Sequence, residues 1–187
     1  DIIVQRDLTS SERAGLEEKH HIEVLWWADK LKPTKGVDIG WGLGHRVYCF
    51  NFYGIDAYGC DLQWPIEKTP YKEIADKFKV CGAKDATCAF GQGDEFCDLV
   101  ILYDVLEHIN SVADVKESLK DAYLITSRHI VVSVPVIGDP NLVADPTHKI
   151  KKTKEWWEYR MAESGFTVID VPKGTPFAHQ MIWGVKI

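Results

Sequence analysis

Short, mostly apolar runs punctuate the chain at Gly36 to Ile39, Ala57 to Cys60, Phe78 to Cys81, Cys97 to Tyr103 and Ile130 to Val134. Runs of that length predict strands, and the continuous apolar character of Ile130 to Val134 suits the buried interior of a parallel sheet. Between them the spacing turns helical, from Ser11 or Gly15 to Lys32, Gly44 to Phe52, Val112 to Tyr123 and Lys154 to Ser164, with Gly165 as the last stop signal. On the first helix Ile22, Leu25, Trp26, Ala28 and Leu31 trace the apolar stripe. His20, Glu23, Asp29 and Lys30 fall outside it, and Pro33 ends the pattern. The stretch from Pro65 to Lys79 is polar and irregular, with a short helix expected around Tyr71 to Lys77. Two final strands are expected, Phe166 to Val171 and Met181 to Ile187. The connection between them, Pro172 to Gln180, is too short for a helical crossover, so they should pair antiparallel.

Strands alternating with helices imply an α/β domain. The expected architecture is doubly wound, with a mostly parallel seven-stranded sheet, an antiparallel C-terminal edge strand and an additional N-terminal helix. Residues 1–35 read as an extension whose helix packs on the sheet or caps a cleft, and residues 36–187 as the ligand-binding domain. The 187 residues suffice for one core.

The formal net charge of -6 speaks against a nucleic-acid partner. Five cysteines, an odd number with no two-residue gap, read as reduced, mostly buried thiols rather than zinc ligands. They suit a reducing, cytoplasmic setting. The sequence contains no apolar 20-mer, so no transmembrane segment is expected.

The chemistry begins at Asp38-Ile39-Gly40-Trp41-Gly42-Leu43-Gly44, a strand-to-helix junction. Gly40 and Gly42 permit a tight turn and close backbone approach, while Gly44 lets the helix pack on the strand. Asp38 disfavours a nearby phosphate and is suited to loop N–H groups or a cationic ligand. Asp61 ends the second strand, where a carboxylate can grip both hydroxyls of a ribose. A nucleoside cofactor accounts for both features; the bland alternative is a tight connection with a capping aspartate. The glycine spacing is GxGxG, not the GxGxxG of dinucleotide binders, and no phosphate-binding lysine motif accompanies it.

Asp38 to Gly44 resembles the first motif of class I S-adenosyl-L-methionine-dependent methyltransferases. Asp61 matches their post-strand-two acid, and Cys97 to Ile109, CDLVILYDVLEHI, resembles their fourth-strand motif. The ordered match runs from Val37 to Ile187 and implies a Rossmann-like fold. By that resemblance Asp38, Gly40, Trp41, Gly42 and Gly44 would surround the methionine and ribose, and Asp61 the ribose hydroxyls. Leu62, Asp85 and Ala86 would flank the adenine, with Tyr103 and Asp104 along the methionine. Trp41 departs from the pattern, since a smaller residue is commoner there.

Asp104, Glu107 and His108 form the densest ionisable cluster, but three neighbours in sequence do not establish converging geometry, and no metal is expected. The loop Asp139 to His148 follows the fifth strand and is long enough to close over a ligand. An oxygen acceptor benefits from a general base. His148 is the first candidate, with Asp145 orienting it and His108 as a second. Asp145-Pro146-Thr147-His148 followed by Trp156-Trp157 is similar to a subset of small bacterial methyltransferases of glycan metabolism, which implies a small-molecule acceptor such as a saccharide or nucleotide sugar. The basic run Lys149 to Lys154 reads as a solvated face or as a contact for a phosphate-bearing acceptor. Adjacent Trp156 and Trp157 cannot share a helix face, so one is expected in the core and the other toward the lid or cleft.

Overall fold

A computed structural model of the chain describes residues 10–62, 68–91, 95–175 and 178–187, with the side chains of residues 10–17 left aside. The start of the N-terminal extension, part of the irregular stretch after Pro65 and part of the last connection lie outside the described residues.

Seven strands form one sheet: β1 (Lys35–Ile39), β2 (Asp56–Asp61), β3 (Phe78–Val80), β4 (Cys97–Tyr103), β5 (Thr126–Ser133), β6 (Thr167–Ile169) and β7 (Met181–Val185). Their spatial order is β3-β2-β1-β4-β5-β7-β6. The pairs β1–β2, β1–β4, β2–β3 and β4–β5 are parallel, and β7 is antiparallel to both β5 and β6. The expected mixed sheet is therefore present. The antiparallel strand β7 inserts one place in from the edge, and β6 holds the edge itself.

The helices are α1 (Ser10–Leu31), α2 (His45–Phe52), α3 (Ala86–Phe90), α4 (Val112–Ile125), α5 (Pro140–Ala144) and α6 (Lys154–Glu163). Strand β4 shows how the sheet is covered on both sides. Val100 and Leu102 face a core with Leu119, Ile125, Trp157 and Met161 from α4 and α6. Leu99, Ile101 and Tyr103 face a second core with Val24 and Trp27 of α1 and Val47 and Phe50 of α2. A strand with apolar residues on both faces reads as continuously hydrophobic, as β4 does.

The extent of α1 agrees with the sequence pattern, and its buried face does so in part, with Leu31 buried and Trp26 and Ala28 packed against the core. Ile22 is 57% exposed and Leu25 is also outward, whereas Val24, Trp27 and Leu31 are buried together with Glu23, which is 1% exposed. Counting apolar residues put Ile22 and Leu25 on the stripe and left out Glu23, a charged residue that belongs to the buried face because Arg46 and His20 partner it. Strand β5 starts four residues earlier than expected. Polar Thr126 to His129 extend it because Thr126 and His129 pair with Cys97 and Leu99 of β4.

Strand order reverses between β1 and β4, the crevice where open parallel sheets bind ligands. The turn after β1, the end of β2 and the turn after β4 all open there.

Candidate functional site

The turn after β1 is built on glycines that have left the ordinary backbone regions. Gly40, Gly42 and Gly44 have φ of 80°, 57° and 86°. A Cβ on Gly40 would stand 2.2 Å from Cγ2 of Val105, and one on Gly44 2.7 Å from Cζ of Phe78. The turn is thus pressed against the segment after β4 on one side and β3 on the other. The Gly40 N–H donates to the Cys60 carbonyl at 2.7 Å, tying the turn to the end of β2. Beside it, the Asp61 carboxylate accepts from the Gly42 N–H at 3.2 Å and from the Leu62 N–H at 2.7 Å. Each oxygen holds one such bond and keeps lone-pair capacity for a ligand hydroxyl.

Leu62 is largely exposed and, with the Asp85 carboxylate, flanks Gly82 at the mouth of β2 and β3. Ala86 opens α3 with its methyl in the core, so only its backbone can meet a ligand. The Trp41 ring is buried in the core shared with α1 and α2 and stacks on Phe78 at 4.3 Å, over Gly59, so its backbone is what the turn offers. The absent Cβ of Gly59, which would fall 2.9 Å from Trp41, is what admits so large a ring.

Behind the turn lies a buried charge network. Arg46, on the first turn of α2, donates to Asp38 Oδ2 at 2.9 Å, and its Nε is 3.8 Å from Glu23 Oε2 on α1. Glu23 also takes a 3.3 Å contact from His20 and accepts from the Tyr103 hydroxyl at 3.3 Å. The Arg46 guanidinium lies over the Tyr103 ring at 4.5 Å. Burial raises the Asp38 carboxyl above its usual range, against the pull of Arg46. Burial pushes Glu23 up as well, but its His20 hydrogen bond and the charge of Arg46 outweigh that and hold it below the usual range. Burial lowers His20, against its bond to Glu23. Asp38 Oδ1 and Arg46 Nε retain no hydrogen-bond partner, one an acceptor and the other a donor.

Asp104 stands where the crevice turns. It is exposed, with φ of 55°, a strained left-handed conformation that aspartate tolerates better than most residues. Its ionisable neighbours are Arg46, Lys19, Glu23 and His148.

The far side is a second polar cluster. The N–H groups of Lys149 and Ile150 donate to the Glu107 carbonyl at 2.7 and 3.0 Å, pinning the loop after β5 onto the turn after β4. That brings the His108 and His148 rings to 4.7 Å, edge to face. Both nearest imidazole Nε2 atoms approach Glu107 Oε1, at 4.0 Å from His108 and 3.9 Å from His148, and His148 Nε2 is also 3.9 Å from Asp145 Oδ2. Thr147 donates to Asp145 Oδ1 at 2.6 Å, so its hydroxyl oxygen accepts from His108 Nδ1 at 2.9 Å. The Glu107 side chain is 0% exposed and neither carboxylate oxygen has a hydrogen-bond partner. Burial, with the nearby Asp104 charge, pushes its carboxyl up to about 8. Burial and the neighbouring His148 lower His108.

The expected residues thus gather in two groups, Asp38 to Gly44 with Asp61, Leu62, Asp85 and Tyr103 at one end, and Asp145, His148 and His108 at the other, with Asp104 between. Sequence reasoning missed Glu23, Arg46 and the full burial of Glu107. Glu23 carried a signal, since it is in helical phase with Trp27 and Leu31. The lysine run does not converge on the cleft. Lys149 bonds Asn110, and Lys152 lies over the Trp156 ring. Trp157 is buried in the core, while Trp156 is half-buried, packed against the same core and beside Lys152 and Arg160.

The sequence matches no protein-family model and no curated protein. Solved structures do resemble the fold. A Nostoc punctiforme protein assigned as an O-methyltransferase shares 16% identity over 94% of this chain and 58% of its own, with a TM-score of 0.68. A SAM-dependent methyltransferase from Archaeoglobus fulgidus shares 18% over 93% of this chain and 99% of its own, at 0.64. The 1,6-didemethyltoxoflavin-N1-methyltransferase of Burkholderia thailandensis, solved with its substrate and S-adenosylhomocysteine, shares 14% over 98% and 93%, at 0.66. The chain spans little more than half of the Nostoc protein and nearly all of the other two. It has the fold of the class I S-adenosylmethionine-dependent methyltransferases. Among the described residues no helix is long and apolar enough to cross a membrane.

Proposed function

We propose that the chain binds S-adenosylmethionine across the ends of β1, β2 and β4 and transfers its methyl group to an oxygen of a small-molecule acceptor. The observation that carries this reading is the Asp61 carboxylate, held ready by the Gly42 and Leu62 N–H groups beside a turn that excludes side chains. The residues present fit the cofactor. Asp61 would accept from the ribose hydroxyls, and Leu62 and Asp85 would flank the adenine. Asp38 Oδ1, which has no hydrogen-bond partner, and the Arg46 guanidinium beside it suit an amino-acid group that bears both an ammonium and a carboxylate. When bound, S-adenosylmethionine would supply a methyl group made electrophilic by the sulfonium charge.

The remaining work falls to the other end of the cleft. The His148 Nδ1–H donates to the Leu142 carbonyl, 3.3 Å away, which leaves Nε2 with a lone pair for an acceptor proton. Asp145, 3.9 Å from that Nε2, would stabilise the imidazolium that forms. The loop after β5, anchored on Glu107, would hold the acceptor in line and limit water, where alignment alone is worth much of the rate. Saccharides and nucleotide sugars are the first acceptors to screen. Methyl transfer to nitrogen is the second reading, favoured by the Burkholderia relative's N1 chemistry.

The test is incubation with S-adenosylmethionine carrying a labelled methyl group and a panel of hydroxylated and amine acceptors. Label on oxygen, lost in His148→Ala with cofactor binding retained, supports the proposal. Label on nitrogen alone favours the second reading, and cofactor binding without transfer to any acceptor favours a silent binding module.

A further inference from the structure

The cluster of Glu107, His108 and His148 has a property that a general-base role does not explain. The nearest ligating atoms of all three lie within 4.8 Å of one another. Hydrogen bonding sets both histidine tautomers. The Thr147 hydroxyl spends its proton on Asp145, so His108 Nδ1 must be the donor to it. The Leu142 carbonyl can only accept, so His148 Nδ1 is a donor too. Each Nε2 is left with a bare lone pair, and both lone pairs face a fully buried carboxylate that has no donor of its own. Three groups able to give electron pairs thus meet beside the partly exposed His108 ring, and an ion bound there would displace the proton that burial favours on the Glu107 carboxyl.

We propose that Glu107, His108 and His148 form a binding site for a divalent first-row transition-metal ion. Two imidazoles and one carboxylate on one face are a donor set for such ions, whereas magnesium and calcium prefer oxygen throughout. The supporting contacts are those of metal-bound histidines, whose second ring nitrogen donates to a carbonyl or to a group that a carboxylate holds in place. The Leu142 carbonyl does this for His148, and Thr147 backed by Asp145 does it for His108. Bonds of about 2.1 Å place neighbouring ligand atoms about 3 Å apart. Drawing each Nε2 toward Glu107 from its present 3.9 to 4.0 Å is a movement of about one ångström.

A role for the ion rests on the methyl-transfer reading, although binding does not. Three protein ligands leave positions open for acceptor oxygens, which suits an acceptor with two adjacent oxygens, such as a diol. A hydroxyl on the ion would pass its proton to the Asp145 carboxylate and form the new oxygen–methyl bond. The carbon–sulfur bond breaks as its electron pair returns to sulfur, leaving S-adenosylhomocysteine. In this arrangement His148 is a ligand, and Asp145 takes over the proton.

The test is titration of the untagged, chelator-treated chain with cobalt(II), followed by ligand-field absorption, with zinc(II) as competitor. One equivalent should bind with the spectrum of a nitrogen-ligated ion and be displaced by zinc. Glu107→Gln, of the same shape but uncharged, should weaken binding by at least on the order of the 100-fold that loss of an outer contact alone can cost. His148→Asn should do the same. S-adenosylhomocysteine binding and the circular dichroism of both variants should be unchanged, which separates ligand loss from misfolding. Absence of cobalt binding, or binding of equal strength in both variants, overturns the proposal. Cobalt binding without S-adenosylhomocysteine binding would retain the site and refute the methyl-transfer reading. The converse pattern would refute the site alone.

Discussion

Replacing Arg46 with methionine probes the charge network behind the glycine turn. Arg46 sits 2.9 Å from Asp38 and 3.8 Å from Glu23, and the three side chains are 8%, 2% and 1% exposed. Solvent cannot take over the role of the guanidinium. Methionine keeps much of the aliphatic bulk, so the loss is chiefly electrostatic: two carboxylates stay buried without their shared cation. Breaking a buried pair in this way costs about 3–5 kcal/mol. For a chain of this size each kcal/mol lowers the melting temperature by about 2–4 °C, so a drop of roughly 6–20 °C is expected at neutral pH.

The pH dependence has a definite sign. Burial already raises Asp38 above its usual range, and losing Arg46 would raise it further and remove one of the charges that hold Glu23 down. A carboxyl whose folded pKa is raised contributes stability below its ordinary pKa and loses it as the pH climbs through the raised value. The deficit should therefore be small in acid buffer near the usual carboxylate range and grow toward neutrality. Adding Asp38→Asn should recover part of it, with a coupling of about 1–3 kcal/mol. Thermal unfolding followed by circular dichroism at two pH values checks both points. A drop under about 2 °C, or a deficit equal at both pH values, would refute the reasoning.

Gly40→Ala combines a positive φ with a Cβ 2.2 Å from Val105. The left-handed backbone alone costs roughly 1–2 kcal/mol, so calorimetry should find weaker S-adenosylhomocysteine binding along with lower stability. Trp157→Ala should cost about 3–5 kcal/mol in urea unfolding. Trp156→Ala, which removes a half-buried ring beside Lys152 and Arg160, should cost about 1 kcal/mol. Ser111 caps α4 by accepting from the Asp114 N–H at 3.1 Å, and Ser111→Ala should cost about 1 kcal/mol by the same assay.

What the sequence made legible follows from what one residue can reveal about another. Cys97 to Tyr103 is recognisable as a buried strand because both of its faces meet apolar cores. Gly40, Gly42 and Gly44 are recognisable because only their backbone freedom explains three glycines at a junction. The place of Glu23 on the buried face of α1 is not, since Glu23 becomes a core residue only through Arg46, which lies on another helix. Helix α3, from Ala86 to Phe90, is too short to show a period. The convergence of His148 on Glu107 depends on backbone bonds from Lys149 and Ile150 that no spacing encodes.

The most direct test of the central claim is a calorimetric titration of the purified chain and its Asp61→Ala variant with S-adenosylhomocysteine. The account predicts one saturable site in the wild type. Losing charge-assisted hydrogen bonds worth about 1.5–3 kcal/mol should weaken it roughly 10- to 150-fold in the variant. No binding by a folded wild-type chain, or binding that Asp61→Ala leaves unchanged, would contradict it.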